Sequence, residues 1–415
     1  MRHGSTILEQ AEVLGAITEE PGRVTRTYLT AQHREAGNRI IGWMRDAGMD
    51  ADYDALGNVV GRYAAADADA PLVISGSHMD SVVNAGKYDG VFGILTAIAC
   101  VRDLHARGKR LRYTFEVVAF GDEEGVRFGV TLIGSKALGG NFDPAFLGKT
   151  DANGISLRDA IKRFGGDPEA IPALRRDPRR VAAFVESHIE QGPVLLNAGL
   201  PVGVVTAIAG GTRVRVRVTG TAGHAGTVPM PGRRDAMAAA AEMVLAIERH
   251  CLERAATLCG TVGKLAIPGG GAINVIPGEV EFNVDLRSGD DAQRLAALEA
   301  VEAECRAIAG RRGVGIVWEP FFHVSAAPCD PRLQARFAAS IAAQGCAVRH
   351  LPSGAGHDAM EMVRIAPMAM LFVRCGNGGI SHNPLETMTA EDAEIATAVL
   401  LHFLEHFDPA SLADG

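Results

Sequence analysis

Acidic and imidazole side chains follow two apolar, strand-like runs in the first third of the chain, 72–76 and 115–120. The side chains after these runs are, in chain order, His78, Asp80, Asp89, Glu123 and Glu124. Histidine, aspartate and glutamate are the residue types that bind a divalent cation such as zinc. The pattern therefore predicts a metal site at the ends of two strands.

Two further histidines, His188 and His382, also come after apolar runs, in loops that contain glycine or serine. A single histidine is more often structural than a metal ligand. The adjacent pair Glu123-Glu124 is harder to explain by folding alone, because neighbouring carboxylates repel and burial penalises both. One of them as a metal ligand and the other as a base would account for the pair.

The spacing of apolar residues predicts the elements that position these side chains. Residues 91–104 have helical spacing, so the stretch from 71 to 125 reads as strand, loop, helix and strand. The carboxyl ends of parallel strands meet at one edge of a sheet, where loops converge on a ligand. The sequence predicts an α/β fold: a mixed, mostly parallel sheet with helices on both faces.

The pattern changes at Gly210, where residues 212–219 alternate between apolar and polar side chains. Such alternation is typical of a half-buried antiparallel strand. The following residues predict a β-α-β-β-α-β order, which is a compact α+β unit. We expect two domains: a catalytic domain formed by residues 1–209 and 326–415, and an inserted domain formed by residues 210–325.

Length and composition restrict the class of protein. A chain of 415 residues is long enough for two domains with a large core. The formal net charge of −8 argues against nucleic acid and anionic membranes as partners. The seven cysteines are scattered without a CxxC pair, which argues against a disulfide framework. The first residues lack a signal-peptide core and no apolar run is long enough to cross a bilayer, so we expect a cytoplasmic protein.

The chain resembles the hydantoinase/carbamoylase group of dinuclear metallohydrolases, which are related to aminoacylases and carboxypeptidase-type zinc peptidases. The resemblance covers nearly the whole chain, and its motifs are Gly76-Ser77-His78-Met79-Asp80-Ser81, Tyr88-Asp89-Gly90, Asp122-Glu123-Glu124-Gly125, His188-Ile189-Glu190-Gln191-Gly192 and Ser381-His382-Asn383-Pro384. The run 188–192 and the run 353–358 resemble the carbamoylase and allantoate amidohydrolase branch more than plain peptidases.

The resemblance implies two divalent metal ions, with Asp89 bridging them. His78 and His188 would complete one set of ligands, and Glu124 and His382 the other. Glu123 would be the general base. Asp80 would fix the orientation of His78 from outside the ligand set, and His357 and Asp358 would also support the ligands without binding metal. Zinc and manganese are the expected metals, and these ligand types also admit cobalt and nickel.

The resemblance also implies residues that contact the substrate. His224 would stabilise the negative oxygen that forms during attack, and Asn274 and Arg287 would bind a substrate carboxylate. Gln191 would bind the ureido group, and Gly356 would let the backbone approach the substrate. From the residues alone, Arg287 could equally be the exposed end of an alternating strand.

The sequence thus predicts an amidohydrolase that cleaves the terminal ureido group of an N-carbamoyl-L-amino acid or of allantoate, with release of ammonia and carbon dioxide. Hydrolysis of N-carbamoyl-β-alanine, hydrolysis of N-acyl amino acids as in aminoacylases or dipeptidases, and a non-catalytic binding protein with this fold remain alternatives. The expected partners are a small ureido carboxylate and a second copy of the chain bound through residues 210–325. This inserted two-layer domain is also expected to act as a lid that closes on the catalytic domain. The basic side chains Arg213, Arg215 and Arg217 would contribute to that contact or would be exposed to solvent.

Overall fold

The structure is a computed structural model that describes residues 3–412. The ends of the expected catalytic domain, residues 1–2 and 413–415, lie outside the described residues. The chain divides into two compact units. The first contains the described residues up to Thr206, the segment Cys329–Leu351 and the described residues from Ala355 onwards; the second contains Ala207–Pro328 and Pro352–Gly354.

The amino-terminal part of the first unit contains six α-helices and six strands within the described residues. The helices are α1 (His3–Ala16), α2 (Ala31–Asp46), α3 (Val91–Ala106), α4 (Ile133–Gly139), α5 (Leu157–Phe164) and α6 (Val194–Ala198). The strands are β1 (Asp50–Tyr53), β2 (Val59–Tyr63), β3 (Leu72–His78), β4 (Thr114–Phe120), β5 (Val181–Ile189) and β6 (Val202–Ile208), of which the last two residues of β6 belong to the second unit.

The second unit follows in the chain. Its elements are β7 (Gly210–Thr219), β8 (Gly223–His224), α7 (Ala236–Leu252), β9 (Leu258–Ala266), β10 (Val275–Ile276), β11 (Glu279–Ser288), α8 (Asp291–Arg312), β12 (Gly315–Val324) and β13 (Ala327–Pro328). The carboxy-terminal elements are α9 (Pro331–Ala343), β14 (His350–Ser353), α10 (Ala359–Met362), β15 (Met368–Val373) and α11 (Ala390–His406). Short 3₁₀ helices lie at Pro144–Gly148, Pro168–Leu174, Asn377–Gly379 and Pro409–Leu412.

The central sheet of the first unit has the strand order β1-β2-β4-β3-β5-β15-β6. The four central strands β4, β3, β5 and β15 are parallel, and the outer pairings are antiparallel. All residues of β4 and β15 are buried, as expected for strands that are covered on both faces. The predicted α/β class with a mostly parallel central sheet is confirmed.

Helix α3 contributes most of its length to the main core, with twelve of its sixteen residues buried. It packs against β3 and β5 on the sheet and against α1 and α11 on its other side. Helix α1 is described from His3 onwards. Helix α2 begins after Thr30, whose side chain accepts a hydrogen bond from the backbone N–H of His33. No helix within residues 3–412 has the length and apolarity needed to cross a membrane.

The main sheet of the second unit is antiparallel, with the order β12-β7-β11-β9. Helices α7 and α8 pack on one face against the alternating apolar residues of β7 and β11. On the other face, the three arginines of β7 lie opposite acidic residues of β11 and β12; the pairs are Arg213–Asp285, Arg215–Glu281, Arg215–Glu319, Arg217–Glu279 and Arg217–Glu281. Cross-strand ion pairs therefore balance the positive charge that the sequence of β7 alone suggests.

Candidate metal centre and substrate-binding residues

The predicted metal ligands of the first unit lie at the carboxyl ends of its parallel strands. His78 is the last residue of β3, and His188 is the penultimate residue of β5. Because β3 and β5 are adjacent and parallel, the two imidazole rings lie next to each other, with centroids 5.8 Å apart. Asp89 lies in the loop between β3 and α3 and is buried.

The loop carrying Asp89 approaches His78 so closely that a side chain cannot be accommodated at the next position. Gly90 has a φ angle of +68°, which favours glycine. A Cβ atom at Gly90 would lie 2.4 Å from the backbone oxygen of His78. This glycine therefore permits the approach of Asp89 to the end of β3.

A first group of donor atoms consists of His78, Asp89 and His188, and all three residues are buried. Oδ1 of Asp89 lies 3.7 Å from Nε2 of His78 and 3.3 Å from Nε2 of His188. One ligand atom from each residue lies within 4.8 Å of the other two. This is the spacing of a set that can hold one cation.

A second group consists of Asp89, Glu124 and His382. Nε2 of His382 lies 3.0 Å from Oδ2 of Asp89 and 3.3 Å from Oε1 of Glu124. The two oxygens of Asp89 thus face different groups: Oδ1 faces the first and Oδ2 faces the second. The five residues that the sequence analysis assigned to metal binding are brought together, with Asp89 common to both groups.

Two of the donor atoms are buried without a hydrogen-bond partner in the described part of the chain, as expected for atoms that bind divalent cations. Nε2 of His188 and Oε1 of Glu124 are buried and have no hydrogen-bond partner among the described residues. Burial raises the pKa of Glu124 to about 7, and the nearby Asp89 carboxylate acts in the same direction. Burial also lowers the pKa of His188 to about 4, so its imidazole is neutral and can donate a lone pair. Cations at the two groups would offset these burial costs.

Backbone oxygens orient the two buried histidines. Nδ1 of His78 lies 3.0 Å from the backbone oxygen of Asp80, and Nδ1 of His188 lies 2.8 Å from that of Ile189. Since a carbonyl oxygen only accepts, each Nδ1 donates a proton to that oxygen, and each Nε2 is the ring nitrogen that faces Asp89 and is placed to bind a cation. The expected partner of His78, the Asp80 carboxylate, is farther away, with Oδ1 3.8 Å from Nδ1.

The Asp80 carboxylate has a different set of partners. Its two oxygens accept hydrogen bonds from the backbone N–H groups of Glu123 (3.1 Å) and Glu124 (3.2 Å). Asp80 therefore fixes the backbone from which both glutamates project, while its backbone oxygen orients His78. Asp80, two residues after the end of β3, thus links the loop that follows β3 to the loop that follows β4.

Glu123 lies beside the first group of donor atoms, and its carboxylate, His78 and Glu124 have ligand atoms within 4.8 Å of one another. Burial raises the pKa of Glu123 well above its ordinary value, and the negative charge of Glu124 adds to the shift. A carboxylate with a raised pKa is suited to accept a proton and pass it on. A Cβ atom at Gly356 would lie 3.8 Å from Oε1 of Glu123, so the backbone at Gly356 passes close to this carboxylate.

Gln191, which is expected to bind the ureido group of the substrate, contacts Asp89 in the structure. Its Nε2 donates to both oxygens of Asp89 at 3.1 Å, and it lies 3.3 Å from Nε2 of His382. Gln191 and His382 both adopt positive φ angles, +56° and +53°. Such strained residues cluster at functional sites.

His357 and Asp358 lie on the other side of His188. The ring of His357 packs edge-on against that of His188, with centroids 4.4 Å apart. Asp358 is buried, and burial raises its pKa to about 7. These contacts agree with supporting positions next to the donor groups.

Two buried glutamates near the donor groups were missed by the sequence analysis. Glu186 accepts hydrogen bonds from the Ser77 hydroxyl (2.8 Å) and from the backbone N–H of Ala359 (3.3 Å). Glu386 accepts from the backbone N–H groups of Tyr88 and Asp89. Their positions in the sequence could have indicated them, because Glu186 precedes the predicted ligand His188 by two residues and Glu386 follows the predicted ligand His382 by four.

The three residues assigned to the oxyanion and the substrate carboxylate, His224, Asn274 and Arg287, lie in the second unit. Nδ1 of His224 accepts hydrogen bonds from the backbone N–H groups of Gly226 (3.0 Å) and Thr227 (3.2 Å). Nε2 therefore carries the proton, and the exposed imidazole is a neutral hydrogen-bond donor. The backbone oxygen of Asn274 accepts a hydrogen bond from the backbone N–H of Ala225, which ties Asn274 to the His224 turn.

Arg287 is held by an acidic neighbour on the same strand. Its Nε and Nη2 atoms donate to the two oxygens of Asp285, at 3.0 and 3.1 Å. Nη1 donates to the backbone oxygen of Gly354 at 2.8 Å. The guanidinium lines an open cavity with Arg213, Lys264 and Asn283, and its side chain is 38% exposed. Arg287 is thus orientated by Asp285 and remains accessible to an anion.

Comparison with known proteins defines the class of this fold and site. The family model of peptidase family M20/M25/M40 matches residues 74–406, and the chain belongs to this family.

Individual relatives show which branch of this family the chain is similar to. The chain is 41% identical over 403 residues to the N-carbamoyl-L-amino acid amidohydrolase of Geobacillus stearothermophilus, covering 97% of this chain and 98% of that protein. It is 40% identical over 424 residues to allantoate deiminase 2 of Glycine max, covering 95% and 87%. The crystal structure of a hydantoinase/carbamoylase family amidase from Burkholderia multivorans superimposes with a TM-score of 0.91 at 34% identity, covering 97% of each chain. The predicted resemblance to the hydantoinase/carbamoylase group is confirmed.

Proposed function

We propose that this chain is a metal-dependent amidohydrolase that cleaves the ureido group of a small carboxylate, either an N-carbamoyl-L-amino acid or allantoate. The observation that carries the proposal is the position of Asp89, whose two oxygens face two separate groups of histidine and glutamate ligands. The names of the relatives with about 40% identity agree with this substrate class.

The two donor groups would each hold one divalent cation. His78 and His188 would bind the first and Glu124 and His382 the second, with Asp89 shared. Nitrogen and carboxylate donors suit zinc or manganese, and they also accept cobalt or nickel. When bound, the cations would polarise the ureido oxygen and make a water molecule acidic enough to attack at neutral pH.

Glu123 would move the proton. It accepts the proton of the attacking water and then delivers it to the leaving nitrogen, which its raised pKa favours. Overall, the ureido group and one water yield the free amine, carbon dioxide and ammonia.

The residues of the second unit would orient the substrate. The neutral His224 donates from Nε2 to the oxygen that becomes negatively charged. Arg287, aligned by Asp285, binds the substrate carboxylate together with Asn274. The lid and dimer roles of residues 210–325, the homodimer and the cytoplasmic location remain predictions.

A screen for ammonia release tests the proposed function. The stripped protein is reloaded with zinc, manganese, cobalt or nickel and is offered allantoate, several N-carbamoyl-L-amino acids, N-carbamoyl-β-alanine and N-acetyl-L-amino acids. We expect turnover of allantoate or of at least one N-carbamoyl-L-amino acid, with N-acetyl amino acids at least about 100-fold slower. Faster release of acetate from N-acetyl amino acids than of ammonia from any ureido compound would contradict the proposal and favour an aminoacylase.

Replacing Arg287 with alanine tests the proposed carboxylate contact. We expect kcat/KM to fall about 100-fold, because a charge-assisted contact of about 2.7 kcal/mol is lost. The matched control is Arg306→Ala, which removes an exposed arginine of α8 that pairs only with Glu302 among the described contacts. The R287A deficit should vanish for an alkylurea that lacks the carboxylate. An equal deficit with and without the carboxylate would show that Arg287 acts otherwise.

A further inference from the structure

The carboxylate of Glu386 joins two segments that are almost 300 residues apart in the chain. Its Oε1 accepts hydrogen bonds from the backbone N–H groups of Tyr88 (2.8 Å) and Asp89 (3.2 Å). Its Oε2 accepts a hydrogen bond from the hydroxyl of Ser381 at 2.7 Å. Glu386 is buried, so these bonds are protected from competition with water.

The two segments carry the ligands of the second donor group. Asp89 is itself one of the hydrogen-bond donors to Glu386, and His382 follows Ser381 directly. His382 needs such support because its φ angle is +53° and its side chain is 47% exposed. The loop before Asp89 also leaves room for the carboxylate, since a Cβ atom at Gly86 would lie 2.2 Å from Cδ of Glu386.

We propose that Glu386 is a positioning residue that holds Asp89 and His382 at the correct separation and thereby sets the affinity of the second metal. The proposal rests on the proposed function, because it takes Asp89, Glu124 and His382 as ligands. Glu386 itself does not bind the cation, since both of its oxygens already accept hydrogen bonds from Tyr88, Asp89 and Ser381.

Loss of the Glu386 carboxylate is expected to affect the two groups of metal ligands unequally. His78 and His188 project from the ends of adjacent strands, and backbone oxygens within two residues of each orient their rings. Neither depends on Glu386. The first metal would therefore keep two well-orientated ligands in a Glu386 variant, whereas the second would lose the alignment of two of its three.

Metal binding measured separately from activity tests this inference. The metal-free protein and its Glu386→Gln and Glu386→Ala variants are titrated with cobalt(II) and zinc against a chelator, and bound metal is counted by plasma mass spectrometry. We expect wild-type protein to bind two ions and E386A to bind the second ion about 10- to 100-fold more weakly, with the first little changed. E386Q keeps one oxygen for the backbone N–H groups and an amide that can donate to Ser381, so it should be intermediate.

Reference variants identify which ion is lost. The cobalt absorption spectrum of E386A with one ion bound should match that of His382→Asn and differ from that of His78→Asn. Asp151→Ala is the matched structural control, because Asp151 also accepts two backbone N–H groups and one side-chain donor in a loop but contacts no donor group. It should lower thermal stability without changing either metal affinity.

The results separate this inference from the proposed function. If E386A binds both ions as tightly as wild type, or loses both equally, Glu386 does not have this role although the dinuclear site stands. If wild-type protein itself does not bind two ions, the proposed dinuclear site is wrong, and the role of Glu386 at the second ion falls with it. Should E386A not fold, Ser381→Ala decides, because it removes the hydrogen bond between Glu386 and the His382 loop, together with a 3.4 Å contact from Nε2 of Gln191, and should weaken only the second ion.

Discussion

Replacing Glu123 with glutamine is expected to lower kcat about 10³- to 10⁴-fold while both metals stay bound. Glutamine has nearly the same shape as glutamate, so the backbone bonds from Asp80 to positions 123 and 124 remain. It cannot accept a proton from water at neutral pH, and loss of a positioned general base costs an effect of this order. The substrate contacts stay, so KM should change by less than about threefold.

The measurement combines steady-state kinetics with metal content for the wild type and E123Q. Glu361→Gln is the control for removing a buried negative charge, because Glu361 pairs with Lys136 and Arg364 and belongs to neither donor group. Activity of E123Q within tenfold of the wild type would assign the base to another residue. Loss of metal from E123Q would instead make Glu123 a ligand.

Changing Asp89 to asparagine should remove both metals and nearly all activity. The carboxylate contributes a full negative charge to both donor groups, and a unit charge at about 4 Å is worth about 4 kcal/mol at an intermediate effective dielectric constant. A loss of that size corresponds to about 10³-fold weaker binding of each cation. Asparagine also offers only one oxygen, so it cannot face His188 and His382 at once.

Dialysis against a chelator followed by metal counting measures this effect. Wild-type protein should recover activity when zinc or manganese is returned, whereas D89N should not recover at micromolar metal. Asp392→Asn is the control, since Asp392 is equally buried but pairs with Arg374 away from the donor groups. A D89N protein that retains one tightly bound ion would show that only one group depends on the shared carboxylate.

Side-chain chemistry after strand-like runs indicated a metal site at the ends of the strands, and the family resemblance supplied the individual ligands. His78, His188 and Glu124 each follow an apolar run, and parallel strands bring their carboxyl ends to one edge whatever the intervening sequence. Strand β7 was predictable from a pattern of the same kind, because the alternation of residues 212–219 specifies an antiparallel strand with one buried face. These features depend on patterns that are local in the chain.

The partners of the supporting residues were not predictable in this way. Asp80 was expected to act on His78 through its carboxylate, yet the carboxylate bonds the backbone of Glu123 and Glu124, over 40 residues away. Gln191 was expected to bind substrate, and the structure adds a contact with Asp89 that the sequence did not indicate. A hydrogen bond to a backbone N–H leaves no trace in side-chain type, and the approach of Gln191 to Asp89 depends on how their loops pack, so no sequence pattern could reveal these contacts.

The sequence by itself determined the fold class, the antiparallel strand β7 and the residue types available as metal ligands, because apolar periodicity and side-chain chemistry can be read along the chain. Only the tertiary structure decided that the oxygens of Asp89 face different groups, that backbone oxygens set the histidine tautomers, and that Glu386 joins Asp89 to the His382 loop. These features depend on contacts such as the 2.8 Å hydrogen bond between Tyr88 and Glu386, which are 298 residues apart, and such contacts form only when the sheet and its loops pack together.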